Sequence, residues 1–191
     1  MTKFIIGLTG QVGSGKTFAA NQLCNHIDFE YIDLDKIGHD LLTKKDVISK
    51  LCNVFGHQIL DMNKINRKTL GDIVFNDHLK LDQLNLIVHP LIKKETQLKI
   101  NATTKSTILI VGALLEEINL ISICHKIITI TASEKDQFKY LGKKKKIVKH
   151  QKKIKFYEKM ADFVVLNDFK KEFIDKFIIL VQTLIQENLN L

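Results

Sequence analysis

Residues 8–17 read L-T-G-Q-V-G-S-G-K-T, three glycines, a lysine and a hydroxyl residue placed directly after an apolar run. Gly10-Gln11-Val12-Gly13-Ser14-Gly15-Lys16-Thr17 fits G-x-x-x-x-G-K-[ST] in full. The spacing suits anion binding. Glycines let the backbone turn so that successive N–H groups point inward at phosphate oxygens. Lys16 neutralises the β and γ phosphates, and Thr17 offers a hydroxyl to magnesium. A helix beginning near Lys16 adds its positive N-terminal end to the same anion. All eight residues are assigned to a nucleoside triphosphate site, with ATP and Mg2+ as the expected occupants.

A second chemical signal follows at Y-I-D-L-D, residues 31–35. On a strand, Asp33 and Asp35 would point to one face. At its C-terminal end they would face the nucleotide cleft, where a carboxylate can take the proton of an attacking hydroxyl or orient magnesium-bound water. Turn-forming or helix-capping aspartates are the plainer alternative. Two compositional exceptions complete the set. Of 29 basic residues only Arg67 is arginine, and Pro90, directly after His89, is the only proline. Where lysine serves everywhere else, a lone arginine suggests a place that needs a planar fork to grip phosphate or carboxylate. A surface or helix-pairing role is the competing reading of Arg67.

These residues need elements to hold them. Phe4–Leu8, Phe29–Leu34, Thr107–Val111, Lys126–Thr131 and Phe163–Leu166 read as strands. Helical spacing marks Lys16–Ile27, residues 36–60, Lys68–Phe75, Leu79–Ile100, Leu114–Ile123, most of Glu134–Met160, and Lys170–Leu189. Pro90 is expected to interrupt or kink its helix. Apolar strands alternating with helices predict an α/β fold, a five-stranded parallel sheet with helices on both faces. The long stretch between the second and third strands, about 36–104, predicts a helical insertion over the end of the sheet where substrates bind.

Composition narrows the function. The 191 residues suit one domain, 1–191. The net charge of +8 favours anionic small molecules by steering. Nucleic acid is not expected, because no aromatic residues alternate with the basic ones as a stacking platform requires. Cys24, Cys52 and Cys124 are widely spaced and form no CxxC pair, which predicts a reducing, cytoplasmic setting. No apolar stretch reaches the roughly 18 residues of a membrane span. No N-K-x-D guanine-reading motif is present. A small-molecule kinase fits best, as a monomer or weak homo-oligomer.

The motifs together resemble the dephospho-coenzyme A kinases, of the P-loop nucleotide-kinase fold. I-I-G-L-T-G-Q-V-G-S-G-K-T is similar to that family's opening strand and loop, and Y-I-D-L-D-K-I-G-H-D-L to its second strand. V-F-G-H-Q-I-L and I-N-R-K-T-L-G-D-I-V-F-N-D resemble the stretch carrying its arginine, L-N-L-I-V-H-P-L-I its His-Pro segment, and A-D-F-V-V-L-N-D its last strand. The resemblance implies phosphoryl transfer from ATP to the ribose 3′-hydroxyl of dephospho-coenzyme A. It implies Asp35 as first choice of base and Asp33 as its neighbour or metal-water ligand. Lys16 would sit at the transferring phosphate, with Arg67, His89 and Asp33 on the acceptor.

The chain also departs from the family's pattern. Gln11 stands where the family usually has glycine. I-V-G-A-L-L-E-E lacks a proline and a phenylalanine of the third-strand segment, with Glu116 at the family's glutamate. The lid, about 137–151, is short and has no arginine; Tyr140 stands where one is expected, and Lys143, Lys144, Lys145 and Lys146 are the candidates to replace its charge. Another P-loop small-molecule kinase, or a nucleotide binder with little turnover, are the alternative readings.

Overall fold

The computed structural model describes residues 3–141 and 151–190. The chain divides into two compact units, Met1–Asp33 with Ile100–Leu191, and Leu34–Lys99.

The first unit is built on five strands. These are β1 (Phe4–Thr9), β2 (Glu30–Asp33), β5 (Thr107–Val111), β6 (Lys126–Thr131) and β7 (Phe163–Leu166), in the order β2-β5-β1-β6-β7. Every pairing is parallel. β1 lies in the centre and all six of its residues are buried, which is why F-I-I-G-L-T carries no polar alternation. Around the sheet lie α1 (Lys16–Leu23), α6 (Glu134–Leu141), α7 (Ile154–Met160) and α8 (Lys171–Leu189). Ala19, Ala20 and Leu23 of α1 share a core with Phe173, Phe177, Val181 and Leu184 of α8 and with Ile6, Leu8 and Ile128 of the sheet.

The second unit contains α2 (Leu34–Leu41), α3 (Lys45–Phe55), α4 (Arg67–Val74) and α5 (His78–Ala102, whose last three residues belong to the first unit). A short antiparallel hairpin, β3 (Leu60–Asp61) and β4 (Lys64–Ile65), separates α3 from α4. Val47, Leu51, Phe55, Leu70 and Val74 form its core.

Three expectations need correction. Residues 36–60 are not one helix. The chain breaks at 42–44, where the Thr43 hydroxyl donates to the Asp40 carbonyl, and again at Gly56, which takes φ 80°. The hairpin that follows turns at Met62 and Asn63, both at positive φ, the geometry a two-residue antiparallel turn needs. Residues 114–123 form turns and a 3-10 turn at Ile121–Ile123 rather than a helix, with Asn119 at φ 54°. Within Glu134–Met160 the described residues are helical at Glu134–Leu141 and Ile154–Met160 and not at 151–153. Finally, of the interruption or kink expected at Pro90, the interruption is absent, since α5 continues through that residue as one helix. The carbonyl that loses its N–H donor belongs to Leu86, which is exposed, so water can satisfy it.

Candidate active site

The loop between β1 and α1 owes its path to residues that lack side chains. Gly10 has φ 135° and Gly15 φ 96°. A Cβ on Gly10 would lie 2.1 Å from the Ile130 carbonyl oxygen, and one on Gly15 2.2 Å from Asn167 Nδ2. The loop is therefore pressed between the ends of β6 and β7. Asn167, just after β7, is 1% exposed. Its Nδ2 donates to the Ser14 carbonyl at 2.9 Å, and its Oδ1 accepts from Phe169 N–H at 2.7 Å. Sequence reasoning missed it. The only signal was an asparagine directly after an apolar strand, and such residues are common in turns.

Lys16 is 8% exposed. Its Nζ donates to the carbonyls of Gly10 and Gln11, both at 2.8 Å, so the ammonium is held over the loop it belongs to. Thr17 begins α1 beside it and is exposed. Val12 N–H donates to Gln151 Oε1 at 2.9 Å, and Gln11 reaches Lys152 and Gln137. The structure thus brings Gly10 to Thr17 together as one cradle.

The two aspartates part company. Asp33 ends β2 and stands level with Val111 and, through it, Leu8. Strands spaced about 4.8 Å apart put Asp33 roughly 10 Å from the β1 end that launches the loop, on the same edge of the sheet. Its Oδ2 accepts from the Tyr31 hydroxyl at 3.2 Å. Asp35 is not on the strand. It is the second residue of α2, so the one-face argument from strand geometry fails. It is exposed, and α2's positive N-terminal end favours its charge. Among the described residues no hydrogen bond or ion pair holds its carboxylate.

Arg67 opens α4, whose N-terminus is capped by Asn66 Oδ1 accepting from Lys68 and Thr69 N–H, both at 3.1 Å. An Arg67 guanidinium nitrogen lies 2.8 Å from His39 Nε2. A guanidinium only donates, so this nitrogen of His39 accepts and carries no proton. His39 sits in the quoted stretch D-K-I-G-H-D-L, yet only the fold reveals its contact with Arg67. His89 is half-buried on α5, and burial pushes its pKa below the ordinary histidine value. The unfolded chain takes up this proton as pH falls through about 6.5 while the folded chain resists it, so stability is lost as pH drops from there. His89→Gln is expected to flatten this acid-side loss of thermal midpoint; an unchanged pH profile would remove burial as the cause. Lys143 to Lys146 and the Tyr140 side chain lie outside the described residues.

A parallel sheet in this order, with G-Q-V-G-S-G-K-T between its central strand and the next helix, defines a P-loop nucleotide-binding fold. A family model for dephospho-CoA kinases matches residues 4–172. The chain is 35% identical over 182 residues to a dephospho-CoA kinase of Fusobacterium nucleatum, covering 90% of this chain and 93% of that one. The chain belongs to the dephospho-CoA kinase family. Two solved structures share the fold. A Thermus thermophilus protein has a TM-score of 0.80 at 20% identity, covering 96% of this chain and 98% of that one. A dephospho-CoA kinase from Campylobacter jejuni has 0.67 at 24%, covering 98% and 100%. Among the described residues, no helix is long and apolar enough to cross a membrane.

Proposed function

We propose that the protein transfers the γ-phosphate of ATP to the ribose 3′-hydroxyl of dephospho-coenzyme A, giving coenzyme A and ADP, in the cytoplasm. Family membership across residues 4–172 carries this reading. The loop geometry supports it, with glycines at positive φ and the Lys16 ammonium held over the loop.

Asp35 is the proposed base. An uncommitted, exposed carboxylate can accept the hydroxyl proton as the oxygen attacks phosphorus, whereas Asp33 is engaged with Tyr31. The Thr17 hydroxyl and Asp33 supply hard oxygen donors of the type that suit Mg2+, and that ion when bound would neutralise charge on the phosphates. Arg67 grips an acceptor phosphate, held in direction by His39. His89 is proposed on the acceptor side as well.

The direct test is product formation. Purified protein is mixed with ATP, Mg2+ and dephospho-coenzyme A, with AMP and adenosine as parallel acceptors, and the products are separated by chromatography. Coenzyme A formed only from its own precursor supports the reading; no product from dephospho-coenzyme A overturns it.

Arg67→Lys keeps the charge and loses the fork. It is expected to raise the acceptor KM about 10- to 100-fold, the range of a lost charge-assisted contact, with nucleotide affinity unchanged. An unchanged acceptor KM would show that lysine suffices there.

A further inference from the structure

Three side-chain amides lie beside the nucleotide loop. Gln137 of α6 is 4% exposed. Its Nε2 donates to the Ala132 carbonyl at 2.8 Å and to Gln11 Oε1 at 3.3 Å. Gln11 Nε2 in turn donates to the Lys152 carbonyl at 3.1 Å. Next to Lys152, Gln151 Oε1 accepts from Val12 N–H at 2.9 Å. The partners at the ends are backbone atoms. Ala132 O and Lys152 O only accept, and Val12 N only donates, so each amide has one permitted orientation.

We propose that Gln11, Gln137 and Gln151 form a clasp that sets the outer half of the nucleotide loop, with Gln151 a positioning residue for ATP. This rests on the reading of the loop as an ATP site. The clasp ties Gln11 and Val12 to two separate segments, α6 and the stretch before α7. The side-chain chemistry at residue 151 carries the functional content. A carboxylate would accept the Val12 N–H more strongly than a neutral amide does. It would also place a negative charge against the loop that must receive a triphosphate. An amide oxygen holds the loop without repelling the anion. Residue 137 has the opposite requirement. It must donate twice, and a carboxylate there would meet two oxygens.

The two positions therefore respond differently to the same substitution. Direct ATP binding, by calorimetry without acceptor, and thermal midpoint are measured for Gln151→Glu, Gln151→Met, Gln137→Glu and Gln11→Ala. Gln151→Glu is expected to keep or raise the midpoint while weakening ATP binding about tenfold, as a like charge within a few ångström would. High salt should reduce that loss. Gln137→Glu is expected to lower the midpoint and ATP affinity together. Gln151→Met and Gln11→Ala are each expected to weaken ATP about threefold, the scale of one neutral hydrogen bond.

If Gln151→Glu binds ATP within twofold of the parent, the positioning role is overturned. If it fails to fold, Gln151→Met decides, and parent-like affinity there overturns it equally. Failure to make coenzyme A with this binding pattern intact would remove the proposed acceptor and leave the clasp standing.

Discussion

Lys16→Met is expected to lower kcat by about a thousandfold or more, the scale set by losing a preorganised charge from a phosphoryl-transfer site. Methionine preserves the length and the buried stem. It removes the ammonium that Gly10 and Gln11 carbonyls now hold at 2.8 Å. Those carbonyls aim the charge, so the loss falls on transition-state charge as well as on ground-state binding. Single-turnover kinetics with saturating ATP would separate the two. A variant that keeps a tenth of the parent kcat would show that the loop amides and Mg2+ carry the charge without Lys16. The thermal midpoint should move little or rise, since a buried ammonium is costly to desolvate.

Asp35→Asn and Asp33→Asn form the second comparison. Each swap preserves shape and removes the charge. Asp35→Asn is expected to cut kcat by about 10²- to 10⁴-fold, the range for a positioned base, with ATP affinity retained. Asp33→Asn is expected to cost about tenfold, because its oxygen is shared with Tyr31 and the role proposed for it is to orient rather than to take the proton. Single-turnover rates of the two variants, at saturating ATP and acceptor, check the assignment. The reverse ranking would make Asp33 the base.

The nucleotide loop was legible because everything that specifies it is local. An apolar strand, the glycines, the lysine and the helix follow one another within 20 residues, and the structure assembles them as read. The five strands of the sheet were legible for the same reason, four of them being short runs rich in apolar residues and β2 being marked by Phe29, Tyr31, Ile32 and Leu34 around its two acidic residues. Elements held by tertiary contacts were not. Residues 36–60 carry unbroken helical spacing, yet Gly56 at positive φ and the turn after Leu41 divide them. Asp35 looked strand-borne because the switch from β2 to α2 has no glycine or proline to mark it. His39 stood in plain view, but its nearness to Arg67 arises only when α2 and the start of α4 are built. The glutamine clasp joins residues 126 and 139 positions apart, a distance over which neither periodicity nor spacing carries information. Asn167 reaches Ser14 across 153 positions for the same reason.

The sheet register has a bearing on how the molecule is made. β1 has no neighbour close in sequence: Ile5 pairs with Ile108, and Gly7 with Ile127. Contacts of such separation form late, because the chain between them must first be closed at an entropic cost. α3 and α4, with local partners, can form sooner. The nucleotide loop hangs from β1 and is wedged by Asn167, which lies 153 positions from the Ser14 it holds, so its shape depends on contacts of high closure cost. ATP consequently has little to bind in the folding transition state. Its stabilisation is expected to appear as slower unfolding rather than faster folding, so that added ATP leaves the refolding rate of a denatured chain unchanged.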